Sequence, residues 1–265
     1  MSDRLTDPEA LHLRKARELY RKWYRTRKKN PRRLARWPAL TMRVDGFLMR
    51  LQPRDNATEH HIFIDAALQE RSSINVLVRM VEGRRALVLD IGANCGLFSL
   101  PLGRAAGPGS RVIAFEPNPL MANRLAKNLR LNGLDRAVDV ERVALGAADG
   151  EITLNLHDRN LGQSSKRHLS ESGKSIVVPQ RPLAVYVDTP RGYEVFVIKI
   201  DVEGVEDEVL APFLRAVDDE TLPDAILIEI VLQNSWSTDL HELLRGRGYN
   251  AVFEGDENVL FRRTG

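Results

Sequence analysis

Between Ala86 and Arg245, short apolar runs alternate with amphipathic stretches, and this alternation restricts the fold more than any other feature of the chain. Residues 86–91, 111–115, 138–143, 194–200 and 225–230 have strand length, and all but 138–143, which carries Asp139, Glu141 and Arg142, are largely apolar. Such runs suit strands covered on both faces. The segments between them, 97–106, 119–131, 205–216 and 238–245, carry helical periodicity. Strand–helix alternation predicts an α/β fold, a doubly wound, seven-stranded and mostly parallel sheet. Residues 251–254 and 258–261 flank an Asp-Glu turn and predict an antiparallel hairpin at one edge. A further strand is expected at 151–156. Upstream, residues 41–51 read as a strand or hairpin bent at Gly46, residues 59–64 as a short extended piece, and residues 66–82 as a helix.

Charge divides the chain differently. Residues 1–54 hold 16 lysines and arginines against five acidic residues, a charge of +11, while the remainder carries −8. The net +3 conceals this asymmetry. The reading is a basic helical extension over residues 1–56 and an α/β domain over 57–265. A helix is expected at 11–36, closed by Pro31 and Pro38. Its apolar stripe is Leu13, Ala16, Leu19, Tyr20, Trp23 and Tyr24. Arg14, Arg17, Arg21, Lys22, Arg25, Lys28 and Lys29 cover the rest. Packing on the domain or on a second subunit, as in a homodimer, is the first expectation; anionic membrane or nucleic acid are the others. Cys95 is the one cysteine, so an intramolecular disulfide and a cysteine-based metal cluster are excluded. No apolar run approaches the roughly 20 residues of a membrane span. A reducing cytoplasm is the expected location.

The residues that carry chemistry sit where strands end. In LVLDIGANCG (87–96) a buried strand closes on Asp90, and a glycine turn then opens a helix. Gly92 and Gly96 permit tight turning and close backbone approach, with Asn94 between them. The dinucleotide pattern G-x-G-x-x-G is absent. A strand-end carboxylate also repels pyrophosphate and suits a cationic or amino-bearing ligand. The next strand ends in Glu116, 26 residues after Asp90, where an acid can accept both hydroxyls of a ribose. Asn118 and Pro119 already supply the cap and first turn of the following helix, which leaves Glu116 for a ligand.

Together these turns resemble the S-adenosylmethionine site of Rossmann-like class I methyltransferases. With ERVALGAADG (141–150) and IKIDVEGVE (198–206), the chain over about residues 57–262 resembles the FkbM family. The resemblance implies S-adenosyl-L-methionine as cofactor. It places Asp90, Gly92, Asn94 and Gly96 at the methionine end, Glu116 on the ribose, and Pro117, Asn118, Val143 and Ala144 near the adenine. Asp201 is expected beside the methyl donor, flanked by Lys199 and Glu203, with Gly204 permitting a sharp turn. It further implies transfer to a hydroxyl oxygen of a small molecule or glycan, or to a carboxylate.

Asp201 is the expected base or substrate-orienting acceptor. Lys199 alternates with it along the strand, so both face one side. A structural ion pair of Lys199 with Asp201 or Glu229 is the competing reading. Asn160, Ser164, Ser165 and Glu229 are candidate substrate contacts. His157 and His168 bracket the polar loop 157–174 and could act as a base near neutral pH. His60 and His61, adjacent on an extended piece, would point apart and bind no metal. Asp201, Glu229 and Asn234 offer oxygen ligands for a divalent cation, but no metal is expected. Two alternatives keep the fold: an RNA methyltransferase guided by the basic arm, and a non-catalytic binding module.

Overall fold

The computed structural model describes residues 8–25, 37–157, 160–163, 174–187 and 192–264. The chain forms two compact units, Met1–Gln69 and Glu70–Gly265. The division thus falls 13 residues beyond the boundary at 56/57 expected from sequence.

In the first unit, helix α1 (Pro8–Arg25) precedes a hairpin of β1 (Leu40–Val44) and β2 (Phe47–Leu51), and helix α2 (Ala57–Asp65) follows. The hairpin turns on Asp45 and Gly46, both at positive φ. The extended piece expected at 59–64 is helical instead. Asn56 caps it, its side chain accepting from the Glu59 backbone N–H. Tyr20 is fully buried; its hydroxyl donates to the Pro53 carbonyl at 2.5 Å and lies 3.1 Å from His60 Nδ1. Tyr20 also meets Trp37 and Phe63 edge-on, which explains how a unit this small closes a core. The helix expected to run to Arg36 is described as far as Arg25; residues 26–36, Lys28, Lys29 and Pro31 among them, lie outside the described residues.

In the second unit, helix α3 (Arg71–Val81) leads to β3 (Ala86–Ile91). The helix expected at 66–82 is shorter because Ala66 and Glu70 adopt left-handed backbone, at φ of 55° and 50°. The chain then alternates α4 (Ser99–Ala105), β4 (Arg111–Phe115), α5 (Pro119–Leu131) and β5 (Val138–Glu141). After an inserted region come β9 (Val195–Ile200), α6 (Glu206–Ala216), β10 (Ala225–Glu229), α7 (Leu240–Gly246), β11 (Tyr249–Gly255) and β12 (Asn258–Arg263). The seven-stranded sheet has the order β11-β12-β10-β9-β3-β4-β5. Strands β3, β4, β5, β9 and β10 run parallel, and β12 pairs antiparallel with β10 and β11. Every residue of β3 and of β9 is buried, the charged Asp90 and Lys199 included.

From β3 the chain winds outward through β4 to β5; from its neighbour β9 it winds the opposite way, to β10. The carboxyl ends of β3 and β9 therefore flank a topological switch point, where an open α/β sheet leaves a crevice. The inserted region forms a three-stranded sheet of β6 (Ala144–Gly146), β8 (Ser175–Pro182) and β7 (Gly150–Asn155), in that order. The strand expected at 151–156 belongs to this small sheet. No helix among the described residues is long and apolar enough to cross a membrane.

Candidate active site

At the switch point, Ile91 pairs with Ile200 across β3 and β9, and the Asp201 backbone N–H donates to the Ile91 carbonyl at 3.1 Å. The chain after β3 must then pass the chain after β9 at close range. Gly92 makes this possible. It sits at φ +79°, and a Cβ there would lie 1.8 Å from the Asp201 carbonyl oxygen. The backbone N–H groups of Gly92 and Ala93 both donate to the Phe115 carbonyl, at 3.1 and 3.0 Å, and bind the turn to β4. Asn94 has left-handed backbone, and its N–H donates to Glu116 Oε2 at 2.9 Å. Gly96, at φ +103°, turns the chain toward α4 against Leu125.

Glu116 is 7% exposed. Its Oε1 accepts from the Asn118 backbone N–H at 2.9 Å, so two backbone donors orient the carboxylate. Burial nevertheless pushes its pKa up to about 7, against the pull of those donors at Asn118 and Asn94. Asn118 caps α5, accepting from the Leu120 N–H at 3.0 Å, while its amide donates to the Leu161 carbonyl at 3.2 Å.

Lys199 is the cation at the centre of the site. Its ammonium is almost wholly buried, donates to the Gly92 carbonyl at 2.9 Å, and lies 3.6 Å from both Asp90 Oδ1 and Asp201 Oδ2. It stands 5.1 Å from the centre of the Phe98 ring. Burial alone would favour the neutral amine. Asp201, Asp90, Glu70 and Glu229 more than reverse this and hold Lys199 charged well above the usual lysine range. Asp90 is fully buried and also accepts from Ser99 Oγ at 2.5 Å. Burial raises its pKa against the pull of Lys199 and Ser99. Asp90 thus lies behind the turn, engaged by Lys199 and Ser99.

The turn after β9 is built from its own acids. Glu206 Oε1 accepts from the Val202 and Gly204 N–H groups at 3.0 and 3.1 Å, and Oε2 from Trp236 Nε1 at 2.7 Å. Gly204, at φ +88°, packs where a Cβ would come within 2.8 Å of Ser235 Oγ. Glu203 holds a positive φ of 58°, which costs a non-glycine residue free energy. Its pKa is pushed up to about 8 by burial, then by Asp201 and Glu206. Glu229, at the end of β10, is pushed up to about 10 by burial and by Asp201, Glu203 and Glu206.

The Glu229 shift has a consequence for stability. A carboxyl held neutral to about pH 10, far above the ordinary glutamate range, keeps a proton that the unfolded chain has released. Stability therefore falls as pH rises through that window. Glu229→Gln is expected to raise the Tm at pH 9 by several degrees and to leave it unchanged at pH 4, as thermal unfolding at the two pH values would show. An equal shift at both would refute this origin.

A crevice at this end of the sheet is lined by Gly92, Phe115, Glu116, Pro117, Val143, Ala144, Asp201 and Glu203, among others. Six of the residues expected at the cofactor therefore meet in one cavity: Gly92, Glu116, Pro117, Val143, Ala144 and Asp201. Asp90, Asn94, Gly96 and Asn118 shape the turns behind it. The small sheet supplies a wall that sequence reasoning did not assign: Leu145, Ile152, Leu154 and Gln180. Gly162 also lines the crevice; Asn160 and Glu229 do not. Ser164, Ser165 and His168 lie outside the described residues. His157 is exposed, and His60, on a helix, stacks on Tyr24 with ring centres 4.0 Å apart. Cys95 is buried and not in a disulfide. Among the described residues, no group of three or more His, Cys, Asp and Glu is arranged to hold a metal ion.

The sheet order defines a Rossmann-like α/β protein with a crevice at its switch point. Residues 90–251 match the model of the methyltransferase FkbM domain. Methyltransferase 1 of Beauveria bassiana (strain ARSEF 2860) is 27% identical over 190 residues, covering 64% of this chain and 74% of that protein. Methyltransferase sdnD of Sordaria araneosa is 28% identical over 194 residues, covering 62% and 73%. The crystal structure of methyltransferase FkbM from Methylobacillus flagellatus KT aligns with a TM-score of 0.45 at 20% identity. It covers 66% of this chain, which spans only 42% of that one. With its family match extending over more than half of its length, the chain belongs to the FkbM family of methyltransferases.

Proposed function

We propose that the protein transfers a methyl group from S-adenosylmethionine to a hydroxyl oxygen of a small molecule or glycan. The observation that carries this reading is the convergence of Gly92, Glu116 and Asp201 on one crevice. Gly92, having no side chain, lets the turns after β3 and β9 cross closely and so brings Asp201 to the same crevice as Glu116. Glu116, oriented by two backbone donors, keeps lone pairs for the two ribose hydroxyls. Phe115, Pro117, Val143 and Ala144, with Leu145 and Ile152 of the small sheet, offer an apolar slot for a purine. When bound, the cofactor supplies a methyl group already activated as a sulfonium.

What the chain itself must do is align the acceptor oxygen and receive its proton. Asp201 is the candidate for both. Its side chain is 30% exposed and lines the crevice, with the Lys199 ammonium 3.6 Å away. Lys199 is a positioning residue: its ammonium ties Gly92 to Asp90 and Asp201 and is itself almost wholly buried. The reading is tested by presenting hydroxylated sugars and polyketide alcohols with methyl-labelled donor. Label is expected in an ether of one such acceptor. Asp201→Asn is expected to lower turnover by about 100-fold or more, the range of a lost general base, with cofactor affinity little changed. Equal turnover in the two forms would remove Asp201 from the reaction.

A further inference from the structure

The apolar stripe of α1 divides into two sides with different surroundings. Tyr20 is fully buried and Tyr24 stacks on His60, so this side packs on α2 within the same unit. Positions 12, 15, 16, 19 and 23 share a neighbouring helix face, and that face borders an open groove of about 610 Å³. Ala16, Leu19 and Trp23 line it from the helix, and Trp37, Pro38 and Leu40 from the segment entering β1. His12 and Lys15 line it toward the start of α1. Leu19 is 45% exposed, so a large apolar side chain of this face stands in solvent.

The same helix is strongly basic. Pro8–Arg25 holds six lysines and arginines against two glutamates, and Arg14, Lys15, Arg21 and Arg25 are exposed. Residues 1–54 together carry +11. An apolar groove in so positive a segment fits a partner that is both anionic and apolar, as a bilayer of anionic phospholipid is. RNA matches the charge but not the groove. Stacking a base needs an open aromatic face, whereas Trp37 is only 5% exposed and meets Tyr20 and Trp23 edge-on. A two-fold contact between copies of this chain would set +11 against +11.

We propose that this face of α1, together with Trp37–Leu40, docks the protein on an anionic phospholipid surface. Leu19 and Trp23 enter the boundary of the acyl chains, and Lys15 with its basic neighbours meets the lipid phosphates. The proposal concerns the first unit alone and stands apart from the methyl-transfer reading.

The full chain is sedimented with vesicles of phosphatidylcholine containing phosphatidylglycerol, and with vesicles of phosphatidylcholine alone. Binding is expected to the anionic vesicles only, and to weaken with added salt. Leu19→Gln keeps the charge and removes apolar contact at an exposed position, so the Tm should hold while vesicle affinity falls about tenfold. Lys15→Gln is expected to lose about fivefold. Lipids brominated on the acyl chain near the headgroup should quench tryptophan fluorescence, and quench it less in Trp23→Phe. No binding to anionic vesicles would overturn the proposal. So would binding that Leu19→Gln leaves unchanged, because charge alone would then account for it. A dimer formed without lipid and dissociated by Leu19→Gln, seen by sedimentation equilibrium, would assign the face to a second copy instead. A single-stranded RNA that binds more tightly than the vesicles and loses as much affinity in Leu19→Gln would assign it to nucleic acid.

Discussion

Gly92→Ala is expected to abolish cofactor binding and to destabilise the domain severely. The added Cβ would stand 1.8 Å from the Asp201 carbonyl oxygen, so one of two backbones must move. Neither can do so cheaply. The Gly92 side is tied to Phe115 by two hydrogen bonds, and the Asp201 side to Ile91 at 3.1 Å. Gly92 also has φ +79°, which disfavours any residue with a Cβ. Overpacking and backbone strain together should cost about 3 kcal/mol or more. Thermal unfolding would then fall by many degrees, and S-adenosylhomocysteine would produce no stabilising shift. A variant with wild-type Tm and wild-type affinity would show that the two turns do not cross as described.

Lys199→Met is the second large effect. Methionine fills a similar volume but leaves the fully buried Asp90 without its cation. Breaking a buried pair from one side typically costs about 3–5 kcal/mol. Because burial already raises the Asp90 pKa, the carboxyl is expected to take up a proton in the variant. Its damage should therefore be relieved by Asp90→Asn in the same chain, since the uncompensated acid is then gone. A double variant no more stable than Lys199→Met would contradict the pairing. If Lys199 acted only through catalysis, Lys199→Met would instead lower turnover with no loss of Tm.

These two residues also show how much of the site is legible in a sequence. Gly92 is evident because a glycine turn between a buried strand and a helix has few other uses. The bounds of β4 and α5 are equally plain: Asn118 caps and Pro119 starts the helix, and both roles are written in residue type. Lys199 shows the limit. Alternation along β9 places it on the same side as Asp201, but its second partner lies on another strand. Asp90 faces Lys199 because β3 and β9 are adjacent and in register, Asp90 opposite Lys199. Strand adjacency across 109 positions has no local signal.

The misread segments have local physical causes. Residues 59–64 look extended because histidine, phenylalanine and isoleucine are poor helix formers; the Asn56 cap and the packing of Ile62 and Phe63 override that preference. In the small sheet, β6 is only three residues long and β8 contains Pro179 and Pro182, which argue against a strand. The crevice residues Leu145 and Gln180 lie on these two strands and so escape a reading by pattern. Glu206 stood inside the recognised motif, but only the fold shows that it accepts the backbone N–H groups that shape the turn.

The central claim is that Glu116 and the Gly92 turn form an adenosine-binding crevice, and titration of S-adenosylhomocysteine into the wild-type chain and Glu116→Ala tests it most directly. The account predicts micromolar binding to the wild type and a loss of at least about tenfold in the variant, as expected when a carboxylate no longer accepts two ribose hydroxyls. It also predicts a dependence on pH. Glu116, with a pKa of about 7, is half protonated at neutrality, so affinity should rise as pH increases from 6 to 8 in the wild type and stay flat in Glu116→Ala. Undiminished affinity in a folded Glu116→Ala variant, with the same pH profile as the wild type, would contradict the account.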